Sequence, residues 1–244
     1  MNNTEMLAPR LIGSSAWLEH KDQRILKVLV ACEYSGIVRD AFAARGHDAW
    51  SCDLLPSERP GKHFEDDVLQ LIGWSSAYQH WDLIIAHPPC TYLSSSGMHW
   101  TTRGLRDPKL TVDAIKFAER LWDAQAEHIC IENPVGCLST RSKLGKPTQT
   151  IQPYEFGEDA SKRTCLWLKN LPPLQHSAED DLFYKKTHVG RGEMKKYADG
   201  TTRTAWFNQT AGNEPSTYRS RTFPGIASAM ANQWTLATRP NNRI

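Results

Sequence analysis

Along the first 138 residues, short apolar runs alternate with stretches whose apolar positions follow a helical period. RILKVLVACE, residues 24–33, is apolar almost throughout its centre, the pattern of a strand covered on both faces of a parallel sheet. Ser35 and Gly36 interrupt it. IVRDAFAARG then places Ile37, Phe42 and its alanines on one side, with Gly46 as a stop, and predicts a helix. HDAWSCD, 47–53, reads as a second strand ending in an acid, and FEDDVLQLIG as a strand edge running into a helix. WDLIIAHPPC, 81–90, is the clearest strand, halted by Pro88 and Pro89. LTVDAIKFAERLWDA, 110–124, predicts a helix with Val112, Ile115, Leu121 and Trp122 as its apolar positions, and EHICIENPVG, 127–136, a further strand.

Beyond that point the pattern changes. KRTCLWL, 162–168, predicts a strand, and FPGIASAMANQWTLA, 223–237, a last helix. Between them, residues 175–222 are polar and rich in threonine, with glycines at 190, 192, 200 and 212, which predicts a small appended element or a substrate-facing flap. Alternating strands and helices predict an α/β sandwich with a mostly parallel sheet and a small polar appendage. The expected organisation is an N-terminal extension over 1–23, a core over 24–174, the appendage over 175–218 and a returning helix over 219–244.

Composition narrows the function classes. A chain of 244 residues with 40% hydrophobic and 23% charged positions suits one core with an appendage, and excludes a disordered tail or a repeat fibre. The formal charge of +2 hides an asymmetry: residues 1–138 carry 13 Lys/Arg against 18 Asp/Glu, and residues 139–244 carry 16 against 9. The basic second part suits a phosphate-bearing partner, and equally an ordinary solubility pattern. No apolar run approaches twenty residues, so no membrane partner is expected. The start lacks a basic-then-hydrophobic signal pattern, and the expectation is a cytoplasmic protein with reduced thiols. The six cysteines form no CxxC pair; His128 and Cys130 are two weak metal candidates and do not make a site, so no metal is expected.

In an open parallel sheet, ligands sit at the carboxyl ends of the strands. That rule gathers Glu33, Ser35 and Gly36 after the first strand, Asp53 after the second and Asp67 near the next. It adds Pro88, Pro89 and Cys90 after the long strand, and Glu132, Asn133 and Pro134 after the one following. ACEYSG is not GxGxxG, so no dinucleotide fingerprint is present. A buried cysteine is common in any core. An acid at the matching end of another strand turns Cys90 into a candidate for attack on a ring that is held at a second atom.

HPPCTYLS at 87–94 together with IENPVG at 131–136 resembles the Pro-Cys and Glu-Asn-Val motifs of the DNA cytosine-5 methyltransferases, in the same order and strand context. RSRTFPGIASAMANQW, 219–234, is similar to the family's last motif, which returns to pack by the cofactor. The likeness runs over 24–138, 160–168 and 219–236, and is greatest to small phage-type members. It implies a Rossmann-like sandwich, S-adenosylmethionine as methyl donor, and DNA with a flipped cytosine as substrate. If phage-encoded, the protein would work in the host cytoplasm, in restriction-modification or anti-restriction.

Carried over, Cys90 is the nucleophile, Glu132 holds the base edge, and Arg163 touches the cytosine carbonyl. Glu33 belongs to the cofactor site, where Ser35 and Gly36 approach the methionine part, Asp53 the ribose and Asp67 the adenine amino group. Pro88 and Pro89 shape the nucleophile loop on its cofactor and substrate sides, and Asn133 orders that loop. Lys185, Lys186, Arg191, Lys195, Lys196 and Arg203 would meet phosphates. The chain departs from the family in ACEYSG, where an aromatic–glycine–glycine pattern is usual, and in Asp159 and Ser161, where glutamine and arginine are usual.

Three other readings share these residues: C5 modification of cytosine, including a free cytosine nucleotide; amino-group methylation through an Asp-Pro-Pro-Tyr-like loop; and a catalytically silent nucleic-acid-binding relative.

Overall fold

A computed structural model describes residues 24–73, 80–176, 194–197, 200–204 and 220–237. A seven-stranded sheet forms its centre, in the order β3-β2-β1-β4-β5-β7-β6. The strands are β1 (Lys27–Ala31), β2 (Asp48–Asp53), β3 (His63–Glu65), β4 (Trp81–Ala86), β5 (Ala126–Pro134), β6 (Gln149–Ile151) and β7 (Thr164–Lys169). The first five are parallel. β7 runs antiparallel between β5 and β6. This is the expected α/β sandwich with a mostly parallel sheet.

Strand alternation divides the core into two layers. Leu29, Ala31, Ile84, Ala86, Ile129, Ile131, Cys165 and Trp167 face one side. There they meet α4 (Pro108–Trp122) through Ile115, Ala118 and Leu121. Val28, Val30, Leu83, Ile85, Cys130 and Leu166 face the other side. They meet α1 (Ile37–Ala43) and α6 (Pro224–Ala237) through Val38, Phe42, Met230 and Trp234. Asp107 caps α4 by accepting from the Lys109 N–H at 2.8 Å, and Pro108 occupies the first turn, where its missing donor costs nothing. Of the apolar positions expected on this helix, Ile115 and Leu121 are buried and Trp122 half-buried, whereas Val112 is exposed. Thr111 and Ala118 complete the buried stripe instead.

α2 (Val68–Gly73) follows β3 as expected, but α3 (Ser95–Thr102), α5 (Leu138–Arg141) and β6 were not legible. In the polar stretch, β8 (Met194–Lys196) and β9 (Thr202–Thr204) pair as an antiparallel hairpin, with Lys195 opposite Arg203. The expected extension over 1–23 and most of 175–218 lie outside the described residues. No described helix is long and apolar enough to cross a membrane.

Candidate active site at the ends of β4 and β5

The backbone N–H of His87 donates to the Ala31 carbonyl at 2.9 Å, carrying β4 one residue further along β1. Pro88 is buried and Pro89 exposed. Both fix φ and neither can donate, so the chain leaves the sheet stiffly into a single 3-10 turn, Cys90–Tyr92. The carbonyl of Cys90 accepts from the Leu93 and Ser94 N–H groups at 3.1 and 2.9 Å. Its side chain is half-buried at the start of the turn.

This loop is sewn to the end of β5. Asn133, 2% exposed, donates from Nδ2 to the Pro88 carbonyl at 2.7 Å. The Cys137 N–H donates to the Leu93 carbonyl at 2.8 Å and the Ser95 N–H to the Val135 carbonyl at 3.0 Å, around an antiparallel bridge between Ser94 and Gly136. The seam leaves no room for a side chain at Gly136, where a Cβ would stand 1.9 Å from the Leu93 oxygen. The two sequence motifs are therefore one structural unit. Asn133 serves it as a positioning residue beneath the loop.

Glu132 is buried, and Nδ1–H of the equally buried His87 donates to its Oε2 at 2.7 Å. Burial raises the pKa of this carboxyl, but the His87 hydrogen bond, the His87 charge and Lys162 together hold it below the usual carboxylate range. Arg163, expected beside the base, is exposed just before β7, and its field acts on Cys165. The cation acting on Glu132 from this segment is its neighbour Lys162. One step along an extended chain turns a side chain to the other face. Spacing alone offered no signal for His87, which lies 45 residues from its partner.

The acids expected to meet a cofactor line the ends of β1 and β2. Glu33 accepts from the Val38 and Arg39 N–H groups at 2.7 and 3.2 Å and from Ser35 Oγ at 3.2 Å. Its carboxylate is thus engaged by the first turn of α1, where it complements the helix dipole. Gly36 adopts φ +71°, and a Cβ there would meet the Arg39 guanidinium at 2.4 Å. All five N–H donors of Arg39 are used, by Asp40, Ser51, Ser57 and the carbonyls of Arg59 and Pro60. This pins the loop after β2 against α1. Asp53 and Asp67 each give one oxygen to their own loop, through the Leu55 and Leu69 N–H groups. Among the described residues, the other oxygen of each stays open to a hydroxyl or amino donor. The segment before α6 reaches this end: Tyr34 Oη and Ser220 Oγ lie 3.1 Å apart, and Arg221 bonds Glu58 at 2.5 Å.

Burial disfavours ionisation of the other five thiols. Burial, with Asp53 and Asp67 nearby, pushes the Cys32 thiol far up; Cys52 is pushed up to about 12, mainly by burial. Burial likewise raises Cys130, Cys137 and Cys165. His128 donates from Nδ1 to the Asn170 carbonyl at 2.7 Å, and no described group of three or more His, Cys, Asp or Glu is placed to hold a metal.

Of the expected phosphate contacts, Lys195 and Lys196 are exposed on β8, and Arg203 lies on β9. Lys185, Lys186 and Arg191 lie outside the described residues. Two clefts of about 370 and 430 Å³ share Arg141 between α3, α4 and α5, and neither is lined by Cys90 or Glu132.

No family model matches the chain, and no curated protein does. Among solved structures, it is similar to one described as a "putative DNA modification methyltransferase encoded within prophage" from E. coli. The TM-score is 0.39 at 14% identity, over 59% of this chain and 46% of that one.

Proposed function

We propose that the protein methylates C5 of cytosine in DNA, with S-adenosylmethionine as donor. The observation carrying this reading is that Cys90 and Glu132 stand at the ends of adjacent parallel strands, tied together by the Asn133–Pro88 and His87–Glu132 bonds. The Cys90 thiolate adds to cytosine C6 while Glu132 accepts from the 4-amino group of the base. Electron density pushed to C5 would take up the methyl group as the donor's S–CH3 bond breaks and S-adenosylhomocysteine leaves. A base removes the C5 proton, the C6–Sγ bond breaks, and the ring regains its aromaticity. S-adenosylmethionine, when bound, supplies the electrophilic methyl group. Ser35 and Gly36 would meet its methionine part, Asp53 its ribose hydroxyls and Asp67 its adenine amino group, and the open oxygens of Asp53 and Asp67 fit such donors. Glu33 supports that loop from beneath.

Directly after the nucleophile turn, Trp100 and Leu105 are exposed beside Arg103. An exposed aromatic and a cation this soon after the Cys90 turn in the chain suit an unstacked base and a phosphate. Lys195, Lys196 and Arg203 on the hairpin would add phosphate contacts, as would Lys185, Lys186 and Arg191.

Incubation with tritiated S-adenosylmethionine and DNA, followed by nucleoside analysis, tests the reaction, and label on 5-methylcytosine is the expected result. Label on N4 of cytosine or N6 of adenine overturns it in favour of amino-group transfer. Transfer to free cytosine nucleotide and not to DNA moves the substrate to the nucleotide. A covalent adduct with 5-fluorocytosine DNA, lost in Cys90→Ala, is expected; DNA binding without transfer marks a silent relative.

A further inference from the structure

Glu132 needs a fixed orientation to read a pyrimidine edge, and the structure supplies it from an unexpected direction. Nδ1 of His87 donates to Oε2 at 2.7 Å, and both side chains are more than nine-tenths buried. A bond made by one defined oxygen stops the carboxylate from rotating and leaves Oε1 as the group available to a ligand. His87 is itself held, because its backbone N–H bonds Ala31 and the next residue's carbonyl is gripped by Asn133. The opposite ring nitrogen, Nε2, is buried without a hydrogen-bond partner among the described residues. A buried polar atom of this kind is costly unless something completes it. It lies on a residue three positions before Cys90.

We propose that His87 is a positioning residue of the site: Nδ1–H fixes Glu132 Oε2 so that Oε1 faces the base, and Nε2 is completed by the bound ligand. This rests on the methyl-transfer reading above. The charged and titratable groups around Glu132 are His87 on β4, Lys162 before β7, Cys130 on its own strand and Cys165 on β7. Of these, only His87 and Lys162 favour the carboxylate. Removing the imidazole leaves burial opposed by Lys162 alone, so Glu132 keeps its proton to higher pH. A merely space-filling histidine would have no such effect.

The test uses the full chain with glutamate labelled at the carboxyl carbon, and Glu132→Gln to assign the Glu132 resonance. In His87→Phe the Glu132 titration is expected to move up by about 1–3 pH units, the usual effect of losing an opposite charge at hydrogen-bond distance. In His87→Asn, whose amide keeps a donor near the Nδ1 position, the shift is expected to be smaller. Single-turnover methyl transfer should follow the same order: the Phe variant loses more rate than the Asn variant, and its pH profile moves with the Glu132 titration. In the wild type, the ¹⁵N resonance of His87 Nε2 is expected to move when S-adenosylmethionine and cytosine-containing DNA are added together. Thermal melts separate these effects from misfolding.

An unchanged Glu132 titration in folded His87→Phe, or an Nε2 resonance indifferent to both ligands, overturns the proposal. Equal loss of rate in both variants with an unmoved pH profile does the same. If the titration shifts as expected but the wild type transfers no methyl group, the methyl-transfer reading has failed while the hold of His87 on Glu132 stands.

Discussion

Gly136→Ala probes the seam between the Cys90 loop and β5 with a single carbon. Gly136 does not need a left-handed backbone, since its φ is not among the positive ones; what it needs is space. The added Cβ would lie 1.9 Å from the Leu93 oxygen and 2.8 Å from the Leu93 carbonyl carbon. Comfortable heavy-atom separations are roughly 3.5 Å, so the strands of the seam must part by more than about 1 Å. Neighbouring atoms are backbone, which cannot swing aside as a long side chain would. Overpacking of this kind costs about 1–3 kcal/mol. Parting also weakens the Cys137 N–H to Leu93 O bond, adding about 1 kcal/mol. Urea unfolding is therefore expected to show a loss of about 2–4 kcal/mol. The same displacement moves Cys90 relative to Glu132, and a misplacement of about 1 Å can cost on the order of 100-fold in rate. Trapping with 5-fluorocytosine DNA measures that step directly. Gly73→Ala is the control: nothing lies within 4 Å of its Cβ, and a helical alanine there changes stability by no more than about 1 kcal/mol, in the favourable direction. A Gly136→Ala protein with wild-type stability and wild-type trapping rate would refute the close seam.

Arg39→Met strips five hydrogen bonds from a buried guanidinium and is expected to destabilise by about 3–5 kcal/mol, read by urea unfolding. An effect below 1 kcal/mol would show that the loop over α1 is held by other contacts. His47 makes α6 acid-sensitive: its Nδ1 accepts from the Leu26 N–H, its Nε2–H meets Thr235 Oγ1 at 2.9 Å, and burial, with Arg45, lowers its pKa. The unfolded chain then binds the proton first, so stability falls as pH drops below about 6.5 and on through the lower folded value. Thermal melts from pH 8 to 5 should show that slope in the wild type and less of it in His47→Gln. Trp100→Ala is expected to weaken DNA binding by about 5- to 100-fold, the cost of one stacked base, with no change in melting temperature. Unaltered affinity in fluorescence anisotropy would take α3 out of the interface.

The long strands and helices were legible because their apolar residues are sorted by face. Val28 and Val30 go to one layer, Leu29 and Ala31 to the other, so β1 reads as a continuous apolar run. α3 escaped notice because Ser94 caps it by accepting from Gly97, and Gly97 is required by a close backbone approach, its Cβ otherwise 2.0 Å from the Thr91 oxygen. A serine–glycine-rich stretch reads as loop when its packing reasons are hidden. The strand-end rule collected Glu33 with the ligand-facing acids, yet its carboxylate serves the α1 N-terminus. Position along a strand locates a residue near the site without saying which way it faces.

That distinction explains why Cys90 and Glu132 were visible and His87 was not. Both motif residues announce themselves by type, a cysteine after two prolines and an acid before Asn-Pro. A histidine at the end of an apolar strand has an ordinary packing explanation until its partner is known. The register of β4 on β5, with Ala86 opposite Ile131, is what brings the next residue of each strand together. Equal extension of both strands past that pair puts His87 and Glu132 on the α1 side, while Asn133 turns to the opposite side and holds Pro88. The proline pair cannot donate hydrogen bonds to a neighbouring strand, so its path must be set by bonds it accepts. Asn133 provides one of these, and the close approach at Gly136 fixes the chain beyond. The Cys90 loop is thus positioned chiefly from β5, the same strand that carries Glu132.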